Sequence, residues 1–472
     1  MRGSLPVATT FARTALAAGL LLALAASSAT AQNFLPTTGT TTWNATTTWS
    51  TGTIPNSIGA TAFFTNNATA ARTATLDTAI TVGSISIDNS TTFATSITGE
   101  TAGTLTFNNG GAGATITSSG TGAINASISA TTTLNDNLTI NATNLSTNTA
   151  GALTWSAIVS GTGGVTKTGG GTVMISTALK SYSGPTVIET NTGRIRYSSS
   201  GSINGTGSVT VKSGAQLDLI TVGTYTFGSV LNLNGVGSAA GTAAGAVPGA
   251  IRAESASGTS SSVTPIFLQD NASIGVVGAA TRLTLSGAIS NSKQLSVDGG
   301  GAGNSGTLIL SGANTYSGGT IVNLGTLSAN GAAATVGIGN VAVLGTSGAG
   351  TVRLQIQTGV LNALANNATL SVINVGGSGT VDLGAGVNET VGGLVLAGAV
   401  QPDGTYGATG SGAMNINDTF FTGLRAARGG RVARRGSTGS AKAGGAVTSP
   451  ALRAMRPREV GLAAHTRRRS VW

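Results

Sequence analysis

One stretch of this chain occurs twice. Residues 306–325 read GTLILSGANTYSGGTIVNLG, and residues 171–193 read GTVMISTALKSYSGPTVIETNTG. Gly171-Thr172 matches Gly306-Thr307, Ser176 matches Ser311, Tyr182-Ser183-Gly184 matches Tyr316-Ser317-Gly318, and Thr186 matches Thr320. The lead-in repeats as well, Leu153-Thr154-Trp155-Ser156-Ala157-Ile158 echoing Leu283-Thr284-Leu285-Ser286-Gly287-Ala288-Ile289. A short strand-turn-strand unit cannot bury its own apolar face and must stack on neighbours. Recurrence of such a unit predicts a solenoid rather than a globule built round a cleft.

The rest of the sequence agrees with that constraint. Of 472 residues, 8% are charged and 40% hydrophobic, with mean hydropathy +0.25. That composition excludes a disordered polyelectrolyte. Short alternating runs recur: 81–87, 103–107, 114–117, 134–140, 209–211, 217–219, 283–285, 307–310, 352–356 and 380–383. Each ends at Gly, Asn or Ser-Gly, the pattern of half-buried strands joined by tight turns. No long segment carries the 3.6-residue period of an amphipathic helix. We read the fold as all-β, a single-stranded parallel β-helix. At roughly 20 residues per coil it predicts nearly 20 coils and a rod of about 80–100 Å. The aromatic opening, Trp43, Trp49 and Phe63-Phe64 around Pro55, is expected to close the first coil.

Three segments are expected. Residues 1–31 read as a signal peptide: Arg2 and Arg13 flank an apolar run over 14–26, and Ala29-Thr30-Ala31 is a small-residue cleavage site before Gln32. The run is shorter than the roughly 20 residues a spanning helix needs, so no transmembrane segment is expected after cleavage. Residues 32–423 form the β-helix. Residues 424–472 form an Arg-rich basic tail, expected to be disordered. The formal charge of +10 belongs to that tail, which holds eleven Arg and Lys442 against Glu459; residues 32–424 hold 10 basic and 13 acidic residues. The body therefore lacks an electrostatic footprint for nucleic acid. Cys is absent, which removes disulfide and thiolate chemistry.

The repeated segments resemble the autotransporter-associated β-strand repeat, also called the passenger-associated transport repeat. The matching residues are 163–173 with 181–184 in the first copy, and 306–320 with 325–327 in the second. The first copy departs from the pattern at Pro185 and by an insertion before Gly193. The resemblance implies a right-handed parallel β-helix with repeats near 161–196 and 300–328. It further implies export to the surface of a Gram-negative-type bacterium, in a structural or adhesive role. A cell-surface or matrix polysaccharide is the expected partner. Nothing after Gly423 has the alternating strands of a membrane barrel, so a recognisable anchor is missing from this reading.

The rival reading is a β-helical polysaccharide lyase or hydrolase acting on acidic glycans. Such sites need paired acids, or a base beside a carboxylate-held metal. Here Asp77, Asp88, Asp218, Asp270, Asp298, Asp382 and Asp403 each stand alone in sequence, and the sole histidine, His465, lies in the tail. The sequence therefore nominates no catalytic, cofactor-binding or metal residues and no cofactor. Arg194 and Arg196, two apart, share a strand face. They could meet an acidic sugar, but are expected to form a solvated outer face. Residues 298–304, DGGGAGN, are read as a turn rather than a calcium loop. Tyr182 and Tyr316 are expected to pack at a coil corner.

Overall fold

The computed structural model describes residues 31–423 and 431–434, apart from 121–125, 144–152, 177–179, 192, 238–248, 256, 301–303 and 347–350. The signal peptide expected over 1–31 lies, except for Ala31, outside the described residues, as does most of the tail. Among the described residues the one helical element is a 3₁₀ turn, Thr46–Thr48. Among the described residues no helix is long and apolar enough to cross a membrane. The remainder is strand, turn and bend, wound as a parallel β-solenoid.

Three ladders of in-register parallel strands run along the coil. The first stacks Ala31–Asn33, Thr61–Phe64, Ser84–Asp88, Ala114–Ser119, Leu138–Ala142, Val165–Thr168, Thr186–Ile188, Val209–Val211 and Leu231–Gly235. The second runs from Gly39–Thr42 to Gly393–Leu396 through fifteen strands, every step parallel. The third comes in two parts, from Ala79–Val82 to Val159–Gly161 and from Gly201–Asn204 to Phe421–Thr422. Fifteen rungs at the strand spacing make a rod of roughly 70 Å. The coils are thus fewer than the nearly 20 expected. The turns are longer than the strand runs suggest: Thr166 pairs with Val187, but Asp218 pairs with Arg252.

The interior is built by alternation, because successive side chains leave a strand on opposite faces. In the first ladder Ala62, Ile85, Ile116, Ile140, Lys167, Ile188, Val211 and Leu233 form one inward column. In the second, Ala74, Ile97, Ile128, Trp155, Ile175, Tyr197, Leu219 and Ala253 do the same. These apolar side chains are buried and belong to one continuous core. Backbones approach closely between coils. Gly161 pairs with Leu134 at φ 111°, where a Cβ would collide with the Leu134 carbonyl.

The first coils are closed by aromatic rings. Phe34, Trp43, Trp49 and Phe64 are buried, with centroids 4.7–6.2 Å apart. The Arg72 guanidinium lies 5.7 Å and 5.8 Å from the Phe34 and Phe64 centroids. At the other end a short strand, Ala399–Val400, pairs antiparallel with Gly393–Leu396. Arg431–Arg434 pairs with Asn388–Val391 and Thr405–Gly407. Those four residues of the basic tail therefore join a sheet, where the sequence had suggested disorder.

The two repeat copies occupy different sides of the coil. Val165–Thr168 and Thr186–Ile188 of the first copy are neighbours in the first ladder. Their counterparts, Leu295–Gly299 and Thr320–Val322, are neighbours in the second. The echoing lead-ins shift likewise, Leu153–Trp155 in the second ladder and Thr281–Leu285 in the third. The shift accompanies Ile266–Val276, an 11-residue strand whose first part pairs with the first ladder and whose second part pairs with the second. The copies are thus a whole number of coils plus one side apart.

Candidate functional site

Charge gathers on the outside of the second ladder. Arg194–Tyr197, Gln216–Leu219 and Ile251–Ala253 are successive rungs, and their register stacks Arg196 on Asp218 and Asp218 on Arg252. Ile195, Tyr197, Leu217, Leu219, Ile251 and Ala253 turn inward, so the charged column faces out. An Asp218 Oδ2 atom lies 3.3 Å from Arg194 Nη1 and 3.5 Å from Arg196 Nε, while Oδ1 lies 3.6 Å from Arg252 Nε. Glu254 joins from the next turn, 3.3 Å from Arg196 Nη2 and in contact with Arg252 Nη2.

The solvated outer face expected for Arg194 and Arg196 is therefore corrected. They do face outward, but their side chains are 13% and 9% exposed, that of Arg252 3%, and that of Asp218 is fully buried. Beside the column, Gln216 Nε2 donates to the Gly249 carbonyl at the start of the next rung, at 3.1 Å. Burial pushes the Asp218 carboxyl up from its ordinary range, and the three guanidinium groups pull it back. An anion held this way is fixed in place. The Thr172 hydroxyl accepts from Arg194 Nε at 3.1 Å and Glu254 closes the cluster from the far side. The arrangement locks three coils together. The sequence signal was present and unread: Ile-Arg-Tyr, Leu-Asp-Leu and Ile-Arg-Ala place one charge between two inward apolar residues, three rungs running.

The repeats carry a second set of polar groups, directed inward. Tyr182 and Tyr316 are both buried. The Tyr182 hydroxyl lies 2.6 Å from Thr186 Oγ1, and that of Tyr316 2.7 Å from Thr320 Oγ1, the same contact in each copy. The Tyr316 hydroxyl also donates to the Val336 carbonyl at 2.9 Å. Burial pushes the Tyr182 phenol up to about 12, opposed by the Thr186 hydrogen bond. These are packing tyrosines. Two residues earlier the copies differ. Asn314 accepts the Ile289 amide at 2.8 Å and donates to Gly312 and Thr335 carbonyls. At the same place Lys180 donates to the Ala157 carbonyl and sits 5.9 Å from the Trp155 ring centroid.

Lys167 is the more unusual. It stands in the aliphatic column between Ile140 and Ile188, fully buried, and its Nζ donates to the Gly169 carbonyl. Burial pushes its ammonium down to about 7, and that of Lys180 to about 8. Asp298 is buried in Leu295–Gly299, where it accepts from Asn323 Nδ2 at 3.2 Å, and burial raises its carboxyl. Residues 301–303 of the glycine-rich turn lie outside the described residues. Among the described residues no three metal-ligating side chains gather.

Comparison with known proteins follows this geometry. The model of the passenger-associated-transport-repeat family matches residues 165–190 and 304–329. Two stretches of the chain are thus similar to this repeat. Each match spans one inward-turned tyrosine–threonine pair and two rungs that are ladder neighbours, Val165–Thr168 with Thr186–Ile188 and Thr307–Leu310 with Thr326–Ala329. No curated protein and no solved structure matches the chain.

Proposed function

We propose that this repeat protein is an exported, non-enzymatic surface protein. Its right-handed β-helix serves as a structural or adhesive stalk at the outer surface of a Gram-negative-type bacterium. The observation that carries the reading is continuity. Two passenger repeats are wound, one side out of phase, into a single stack whose rungs are further tied by the arginine clasp on Asp218. A rod of that kind offers a long lateral surface, which suits contact with an extended polymer such as a cell-surface or matrix polysaccharide.

Tagging the full chain in its host and locating it by surface protease accessibility tests the first half. Accessibility on intact cells is expected; a wholly periplasmic or cytoplasmic pool would overturn it. Purified protein incubated with acidic glycans tests the second. Saturable binding without depolymerisation is expected, and turnover of any glycan would establish the lyase or hydrolase alternative.

A further inference from the structure

The outer face of the first ladder carries a two-dimensional array of hydroxyls in its N-terminal half. One column, in register, is Thr61, Ser84, Thr115, Thr139 and Thr166. The column two residues along is Ser86, Thr117, Asn141 and Thr168, preceded by Phe63. Four consecutive rungs thus read Ser-x-Ser, Thr-x-Thr, Thr-x-Asn and Thr-x-Thr. The x positions are Ile85, Ile116, Ile140 and Lys167, all turned into the core. Neither column contains a charged side chain.

Two observations separate this face from ordinary threonine richness. All nine polar side chains are half-buried or exposed, and among the described residues none makes a hydrogen bond within the protein. On the second-ladder face the corresponding hydroxyls are partly consumed, Ser127 Oγ donating to Ser96 Oγ at 2.8 Å, while the third ladder repeats the pattern over two rungs only, Thr104-x-Thr106 and Thr131-x-Thr133. The array also stops where its chemistry changes: Thr166 pairs with Val187, which ends the hydroxyl column.

The spacing is fixed by the backbone. Rungs repeat at about 4.8 Å along the rod, and residues two apart on a strand lie about 6.7 Å from each other. Five of these nine side chains are threonine after Thr61, β-branched and stiff at χ1, so each presents its methyl and hydroxyl in a restricted orientation. An uncharged lattice of alternating hydroxyl and methyl groups, stiff at χ1, is suited to order water, because each hydroxyl can anchor one water and each methyl can sit beneath a cage of them. Its two repeats are comparable to the oxygen repeats on a prism face of hexagonal ice. A sugar polymer would call instead for aromatic platforms and planar polar groups, and Phe63 is the sole aromatic in the two columns.

We infer that the first-ladder face over residues 61–168 is an ice-binding surface. It goes beyond the stalk reading and does not need it, since adsorption to ice can be measured on purified protein whatever the cellular location. The test is partition of the full chain into a slowly growing ice front, with thermal hysteresis and ice recrystallisation measured alongside. The wild type is expected to be enriched in ice several-fold over a non-binding carrier protein and to restrict crystal growth. Thr117→Lys and Thr139→Lys, in the middle of the array, are expected to abolish enrichment while the β circular dichroism and melting temperature stay unchanged. Ser127→Lys on the adjacent face is expected to leave enrichment intact. Exclusion of the folded wild type from ice would overturn the proposal. So would loss of enrichment by Ser127→Lys equal to that of Thr117→Lys, or retention by both array variants.

Discussion

Lys167 offers a direct measure of what the solenoid interior costs a charge. Its ammonium lies in a column of isoleucines, and burial holds it near 7 against an ordinary value of 10.5. The folded form therefore releases a proton that the unfolded chain keeps between those two values. Stability must rise with pH across that window and flatten below about 7, where both states are charged. At about 1.36 kcal/mol per unit, Lys167 contributes roughly 3 kcal/mol between pH 7 and 9.5. Lys180, held near 8, adds roughly 2 kcal/mol over the same range. The window is clean: the chain has no cysteine, its single histidine is His465 in the tail, and the buried tyrosines titrate above it. Urea unfolding followed by the fluorescence of Trp155, which packs against Lys180, is the assay. Wild type is expected to gain roughly 5 kcal/mol from pH 7 to 9.5. Lys167→Met should be the more stable protein at pH 7 and retain only the roughly 2 kcal/mol that belongs to Lys180. A wild-type gain below about 1 kcal/mol, or an undiminished gain in Lys167→Met, would show that the amine reaches water or a counter-charge.

Two further perturbations separate packing from charge. Tyr316→Phe keeps the ring and removes one hydroxyl; Thr320 Oγ1 still donates to the Val336 carbonyl at 2.7 Å, so the substitution is expected to cost about 0.5–1.5 kcal/mol in chemical denaturation, and a neutral result would show that the repeat's tyrosine hydroxyl is idle. Asp218→Asn removes the common anion of Arg194, Arg196 and Arg252 and is expected to cost about 3–5 kcal/mol; replacing Arg196 by Met in the same chain should recover part of that loss, and an additive further loss would mean that the cluster is not cooperative.

Local sequence pattern located most strands, since alternation between glycine-bounded turns is a property of each rung alone. It also found the tyrosine pair, because each repeat copy carries its own Tyr-x-x-x-Thr. It misjudged Arg194 and Arg196, whose facing is local but whose burial depends on Asp218, Arg252 and Glu254 on the neighbouring rungs. It overestimated the number of coils for the same reason. Strand length is written in the run, while turn length shows only when a rung meets its partner.

What the sequence determined by itself was therefore the kind of object: a stack of short β rungs with an apolar inside, since no rung could bury that side alone. What only the tertiary structure decided was which residues meet across rungs. Register set the three-arginine clasp on Asp218, put Lys167 among isoleucines, turned the second repeat one side round the coil, and aligned the free hydroxyls into a lattice. Each of these depends on the length of chain between strands, and in a solenoid that length, not local propensity, chooses every residue's neighbour above and below.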